Sequence, residues 1–295
     1  MSMRPDEPAG PRERCVLLVS CTDQPGIVAA MSSLVYGGGG NIVDLQQHTD
    51  PVDGAFFQRI EFELDRFRFD RPELNRQLAP IVERFNMDCQ VRYTNEMPRI
   101  AILASREPHC LHDLLARWRS GELPAEVGVV ISNHPDHADV ASRFEVAYRY
   151  CPVTPQTRGD QERHVSALLA DANVDLVVLA RYMQILSAEF VSRWPGRIIN
   201  IHHSFLPAFQ GARPYHQAHG RGVKLIGVTA HYVTADLDEG PIIDQDVTRV
   251  SHRDDVETLR RRGRDLEVVV LARAVRAHLE HRVLIHGNRT VVFDG

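Results

Sequence analysis

The chain has no apolar run approaching the roughly 20 residues that a membrane-spanning helix needs, which argues against a membrane protein. It has no C-x-x-C pair. Its five cysteines, Cys15, Cys21, Cys89, Cys110 and Cys151, are scattered and odd in number. They read as reduced thiols of a cytoplasmic protein, and exclude a disulfide framework or a cysteine zinc cluster. It has no large excess of charge of either sign. A net charge of −5 over 295 residues, with acids and bases mixed, argues against a general nucleic-acid or membrane-surface binder. Internal repeats, low-complexity segments, a G-x-S-x-G elbow and an H-E-x-x-H motif are also missing. Residues 1–12 are rich in Pro, Arg and Glu and lack the apolar core of a secretory signal, so a disordered N-terminus is expected. What remains is an ordinary globular balance, 43% hydrophobic and 25% charged, with room for one large domain or two ordinary ones.

An apolar run at 15–21 predicts a strand. Thr22-Asp23-Gln24-Pro25-Gly26 follows, and Thr22 or Asp23 is expected to cap a helix that begins near Gly26, with Pro25 at or near its first position. Ile27, Met31, Leu34 and Val35 recur at helical spacing, and glycines 37–40 end the helix. These glycines follow a helix instead of opening one, so they read as a turn and not as a phosphate cradle. Strands at 41–49 and 55–64 flank Asp50-Pro51-Val52-Asp53-Gly54, turn formers throughout. A helix over 71–86 and a strand over 88–93 complete the order strand, helix, strand, strand, helix, strand. That order, with D-x-P-G at Asp23, Pro25 and Gly26, resembles the ACT domain family over about residues 13–94. The resemblance implies a small α+β, ferredoxin-like domain. Such domains usually bind amino acids between copies of themselves, or serve as dimerisation surfaces. It therefore implies a homo-oligomer, a dimer or a tetramer, and an amino-acid effector as a partner.

Residues 94–98 form the expected boundary, and 99–295 the second domain. Strands at 99–105, 126–132, 145–150, 176–180 and 197–201 alternate with helices at 108–119, 138–144 and 160–172. In the last of these helices, Val165, Leu168, Leu169 and Ala172 share one side. Strands at 225–232 and 241–250 and a long helix over 255–280 close the chain. The alternation predicts a doubly wound α/β domain, a mostly parallel sheet with helices on both faces. Ligands in such folds sit beyond the carboxyl ends of the strands, which singles out the residues just after Ile201.

Asn200 and His202 are two apart on a predicted strand and so share a face. An amide can donate to a developing oxyanion, and an imidazole can move protons. Downstream, Leu237-Asp238-Glu239-Gly240-Pro241 places a carboxylate in a polar loop directly after an apolar strand. There it could orient the imidazole and activate a water, completing an acyl-transfer set. Each residue taken singly also has an ordinary role, as a strand-end amide, a solvated histidine or a turn aspartate.

The context of these residues decides between those readings. Ile199-Asn200-Ile201-His202, with Ser204, Leu206 and Pro207, is followed by His231, Val233, Leu237-Asp238 and Gly240-Pro241-Ile242-Ile243. The pair of motifs resembles the formyltransferase superfamily that uses 10-formyltetrahydrofolate. The resemblance implies a formyltransferase-type domain in which Asn200, His202 and Asp238 are catalytic. It implies a folate pocket formed by Tyr182, Gln184 and Leu186, by Val233 and Thr234, and by His203, with backbone groups holding the pterin ring. Gln184 stands where Arg is commoner in that superfamily. No metal and no cofactor are implied, because the folate is the substrate.

Two reactions fit that chemistry. Transferases to a ribonucleotide carry a glycine-rich phosphate loop after the first strand, whereas this chain has Ala104-Ser105-Arg106-Glu107-Pro108. The leading ACT-like segment resembles the hydrolytic branch of the superfamily, as do His203, the run on to Ala208-Phe209, and Gly211-Ala212-Arg213-Pro214-Tyr215. The expected reaction is therefore hydrolysis of 10-formyltetrahydrofolate to formate and tetrahydrofolate, with water as nucleophile. The alternative is formyl transfer to an amine acceptor. A metal hydrolase is a rival, since His202, His203, His216, His219 and His231 lie in one stretch with H-x-x-H spacing at His216 and His219. An amino-acid sensor with a decayed enzyme domain is another.

Overall fold

The computed structural model describes residues 13–207 and 214–295. The tail expected to be disordered, 1–12, and motif residues Ala208, Phe209, Gly211, Ala212 and Arg213 lie outside the described residues. The chain divides into two compact units. One runs through Glu96 and takes in Phe293–Gly295; the other is Met97–Val292. The last three residues thus leave the segment 99–295 expected for the second domain. The side chain of Gln46 holds the backbone of Asp294 through two hydrogen bonds, of 3.0 and 2.9 Å.

The first unit contains β1 (Arg14–Thr22), α1 (Ile27–Gly38), β2 (Asn41–Asp50), β3 (Ala55–Glu63), α2 (Arg71–Phe85) and β4 (Asp88–Tyr93). Its four strands form an antiparallel sheet in the order β2-β3-β1-β4. Alternate strand residues Leu17, Val19, Phe56, Ile60 and Phe62 bury one sheet face with Ile27, Met31, Leu74 and Leu78 of the helices. The start of α1 differs from expectation. Neither Thr22 nor Asp23 caps it; the N-cap is Gly26, with φ of 98° and no side-chain cap. Asp23 instead donates its backbone N–H to the carbonyl of Gly54, at 2.8 Å, which ties this loop to the β2–β3 turn. Helix α2 is capped by Asp70, which accepts from the Glu73 N–H at 2.8 Å.

The second unit contains β5 (Arg99–Ala104), α3 (His109–Arg119), β6 (Glu126–Ser132), α4 (Ala138–Arg143) and β7 (Tyr148–Tyr150). Then come α5 (Arg158–Asp171), β8 (Leu176–Ala180), α6 (Ala188–Ser192), β9 (Ile198–His202), α7 (Pro214–Arg221), β10 (Leu225–Tyr232), β11 (Ile242–Arg249) and α8 (Val256–Leu279). A small hairpin, β12 (Val283–His286) and β13 (Arg289–Val292), closes the unit. The sheet order is β11-β10-β9-β8-β5-β6-β7. Strands β5 to β9 pair in parallel, and β10 and β11 run antiparallel at one edge.

Ile100, Ile102 and Ala104 bury one face of β5 against α3 and α8. Ala101 and Leu103 bury the other against Val165 and Leu169 of α5. These strands are apolar on both faces, as a doubly covered parallel sheet requires. The strand order reverses between β5 and β8, which opens the crevice where such sheets bind ligands. Sequence periodicity did not anticipate α6, α7 or the terminal hairpin, and predicted a strand over 145–150 of which only Tyr148–Tyr150 pairs. These elements are short, with too few turns or alternations to carry a period.

Candidate active site

Asn200 and His202 sit at the carboxyl end of β9 and project to one face of the sheet. The antiparallel neighbour β10 sets Asn200 opposite His231 and His202 opposite Thr229. A register shift between Ala230 and His231 marks a bulge in the β10–β11 pairing. Bulges re-aim side chains in this way next to functional sites.

His231 is 2% exposed, and burial pushes its imidazole below the ordinary value, so it is neutral at physiological pH. Its Nδ1–H donates to the Tyr232 carbonyl at 2.9 Å. That leaves Nε2 as an acceptor, and Asn200 Nδ2 donates to it at 3.2 Å. One N–H of the amide is thereby fixed, and the amide carries a second N–H for an oxyanion.

Asp238 comes from the loop that leaves β10 and returns as β11. Its backbone adopts the left-handed conformation, with φ of 57°. Gly240 closes the loop, and a Cβ there would lie 1.8 Å from the Tyr232 carbonyl oxygen, so no other residue fits without moving the backbone. Asp238 Oδ1 lies 3.3 Å from His202 Nδ1 and 3.7 Å from His231 Nε2. The hydrogen bond from His202 holds the carboxyl of Asp238 below the usual range, against the opposing effect of partial burial. The other nitrogen of His202, Nε2, is buried with no hydrogen-bond partner among the described residues. The structure thus brings Asn200, His202 and Asp238 together, and one imidazole nitrogen of His202 is buried and unpaired. The loop after β9 is clamped in turn: Thr229 Oγ1 donates to the Ser204 carbonyl at 2.9 Å and accepts from Leu206 N–H at 3.0 Å.

The residues expected to hold folate divide. Leu186 and Val233 pack on the same apolar cluster, which places the loop after β8 beside the loop after β10. Tyr182 is 5% exposed, and its hydroxyl accepts from Gln161 at 2.9 Å, so its side chain belongs to the core. Gln184 donates its backbone N–H to the Tyr182 carbonyl at 2.8 Å, and Thr234 donates its hydroxyl to the Asp236 carbonyl at 3.1 Å. Met183, Ile185 and Leu237 are exposed in these loops, large apolar side chains suited to the face of a ring. His203 packs edge-on against His202, with ring centroids 5.2 Å apart. Burial and the nearby Arg181 push it down to about 4, so it is neutral at physiological pH.

Of the histidines of the metal rival, His202, His203 and His231 lie together at the site, whereas His216 and His219 are exposed on α7. The group with metal-like spacing among the described residues is His109, Cys110 and Glu267, and there His109 Nε2 and Glu267 Oε2 are in direct contact at 2.6 Å. Sequence reasoning missed His231 as a member of the site, although it opens the second motif. Only the β9–β10 register places it against Asn200.

A model of the formyl transferase family matches residues 98–275. The chain is 55% identical to a formyltetrahydrofolate deformylase of Synechocystis sp. over 277 residues, 94% of this chain and 97% of that protein. It is 50% identical to the protein of that name from Bacillus subtilis over 296 residues, 100% of this chain and 99% of the relative. The crystal structure of a formyltetrahydrofolate deformylase from Pseudomonas syringae pv. tomato superposes with a TM-score of 0.94 at 47% identity, covering 97% of this chain and 96% of that one.

Proposed function

Because the chain belongs to the formyl transferase family, we propose that it hydrolyses 10-formyltetrahydrofolate to formate and tetrahydrofolate, with Asn200, His202 and Asp238 as the catalytic set. Its relatives of high identity over nearly the whole chain are named for that hydrolysis. The observation that carries the mechanism is the His202–Asp238 contact of 3.3 Å, with His202 Nε2 buried and unpaired. Asp238 accepts from Nδ1–H and so fixes the tautomer that leaves Nε2 basic. Nε2 takes a proton from water as the water oxygen attacks the formyl carbon. The carbonyl oxygen becomes an oxyanion, and the Asn200 amide donates to it. His202 then returns the proton to N10 as the bond from carbon to N10 breaks. Asp238 stabilises the imidazolium in between. Neither metal nor cofactor takes part in these steps.

The loops at 182–186 and 233–238 hold the pterin ring through backbone groups and exposed apolar side chains. His203 lies beside the formyl group. The first unit works as an ACT domain, a reading supported by its element order and by Asp23, Pro25 and Gly26 at the first turn. It binds an amino-acid effector or joins copies of the chain into a dimer or tetramer. No helix among the described residues is long and apolar enough to cross a membrane, and the cysteines are free, in keeping with a cytoplasmic enzyme. The test is formate release from 10-formyltetrahydrofolate with no amine acceptor present. Formate that appears only when an amine is added would replace hydrolysis by transfer.

A further inference from the structure

Beside the catalytic set, on the side of His203, lies a buried charge cluster that the mechanism does not use. Its centre is Glu267 of α8, 1% exposed. Tyr215 donates its hydroxyl to Glu267 Oε1 at 3.2 Å. Glu267 Oε2 lies 2.6 Å from His109 Nε2 and 3.4 Å from Arg181 Nε. His109 follows β5 and Arg181 follows β8, so the cluster sits at the point where the strand order reverses, the usual ligand crevice of such a sheet. Among the described residues, these four side chains converge at that point.

The cluster reaches the reaction centre. The ring of Tyr215 meets that of His203 edge-on at 6.0 Å, and His203 meets His202 at 5.2 Å. Room for Tyr215 comes from Gly263, where a Cβ would stand 1.9 Å from the tyrosine oxygen. An amine acceptor needs two things next to a formyl carbon: space, and an acceptor for its N–H groups. His203 and Tyr215 occupy the space. Glu267 is a carboxylate that could hold an ammonium group, but both its oxygens are already engaged. Arg181, 13% exposed, offsets the charge of Glu267 and so leaves no net negative charge to draw a protonated amine.

We propose that His203, Tyr215, Glu267, Arg181 and His109 form a specificity wall that excludes amine nucleophiles and leaves the formyl carbon open to water. The inference rests on the hydrolytic reading above and names the residues that enforce it. Removing the wall lets an amine nitrogen attack the formyl carbon. The bond from carbon to N10 then breaks, N10 takes the proton that the amine loses, and a formamide leaves in place of formate.

The test uses the full-length enzyme, 10-formyltetrahydrofolate with an isotope-labelled formyl group, and glycinamide as the amine probe. The reading is the ratio of formylated glycinamide to formate, which does not depend on the total rate. Wild-type enzyme gives formate alone at every glycinamide concentration. His203→Ala raises the ratio about tenfold or more over the uncatalysed background, the discrimination that one filled pocket position commonly gives. His203→Asn, which keeps a polar side chain of smaller volume, gives a smaller rise and serves if the alanine variant does not fold. An unchanged ratio in a folded, active His203 variant overturns the wall. A wild-type enzyme that makes no formate without glycinamide overturns the hydrolytic reading itself, a separate outcome.

Discussion

Replacing Asp238 by asparagine keeps the size of the side chain and removes its charge. In the native site Asp238 Oδ1 is 3.3 Å from His202 Nδ1, and the two side chains are 17% and 8% exposed. At that separation a carboxylate and an imidazolium attract by about 5 kcal/mol with an effective dielectric constant of about 20, before any desolvation is subtracted. In the proposed mechanism that attraction is realised when His202 carries the proton taken from water, so its loss raises the barrier and not the cost of binding folate. The amide of asparagine can also donate to Nδ1, which reverses the tautomer and puts the proton on Nε2, where the base is needed. Both effects act on kcat. The expected loss is about 10²–10⁴ in kcat, or about 2.7–5.4 kcal/mol, with KM for the folate changed by less than about threefold. Formate release followed by a coupled formate dehydrogenase assay, with tetrahydrofolate read by absorbance, measures it. A variant that keeps a tenth or more of wild-type kcat would refute the assignment of Asp238 as the partner of the catalytic imidazole.

Other expectations follow from the same geometry. Asn200→Ala removes the proposed oxyanion donor and should cost about 10²–10³ in kcat; His231→Ala removes only the acceptor that aims that donor, so its loss should be smaller, and the order of the two in steady-state assays checks the Asn200–His231 contact of 3.2 Å. Gly240→Ala drives a Cβ to 1.8 Å from the Tyr232 carbonyl oxygen and must shift the loop that carries Asp238; a stability loss of about 1–3 kcal/mol in denaturant titrations should accompany a fall in turnover. The carboxyl of Asp238 is held below its ordinary value in the folded protein. Its stabilising contribution is therefore complete above the unfolded-state value of about 3.9 and is lost as pH falls through the lower folded-state value. The difference in melting temperature between wild type and Asp238→Asn should shrink as pH is lowered from about 6 to about 3. Last, glycine and methionine added to the full-length enzyme should change formate release if the first unit binds an effector as proposed; no response to any amino acid would count against that role.

Much of this protein is legible along the chain. The alternation of apolar runs and amphipathic stretches in the second unit is a local property, and it forces strands to be covered on both faces by helices. The two-residue spacing of Asn200 and His202 puts them on one face whatever the rest of the fold does. The paired motifs around them point to formyl chemistry, because residue order is itself a record of family.

Distances across the fold are another matter. That Asp238 meets His202 depends on a loop returning past Tyr232, which Gly240 permits by having no side chain. The pairing of His231 with Asn200 needs the register of β9 against β10, and a shift of one residue would have turned the histidine to the opposite face. The capping of α1 shows the same limit on a smaller scale, since Thr22 and Asp23 carry capping side chains but the tie from Asp23 to Gly54 takes the backbone elsewhere. Glu267 makes the point most fully. In sequence it is one acid in a long helix. Only when α8 packs against α3, α7 and the strands β9, β10 and β11 does it meet His109, Arg181 and Tyr215, which come from three separate segments. Burial of that carboxylate is tolerable because those three partners converge on it, and convergence is a property of the tertiary structure alone.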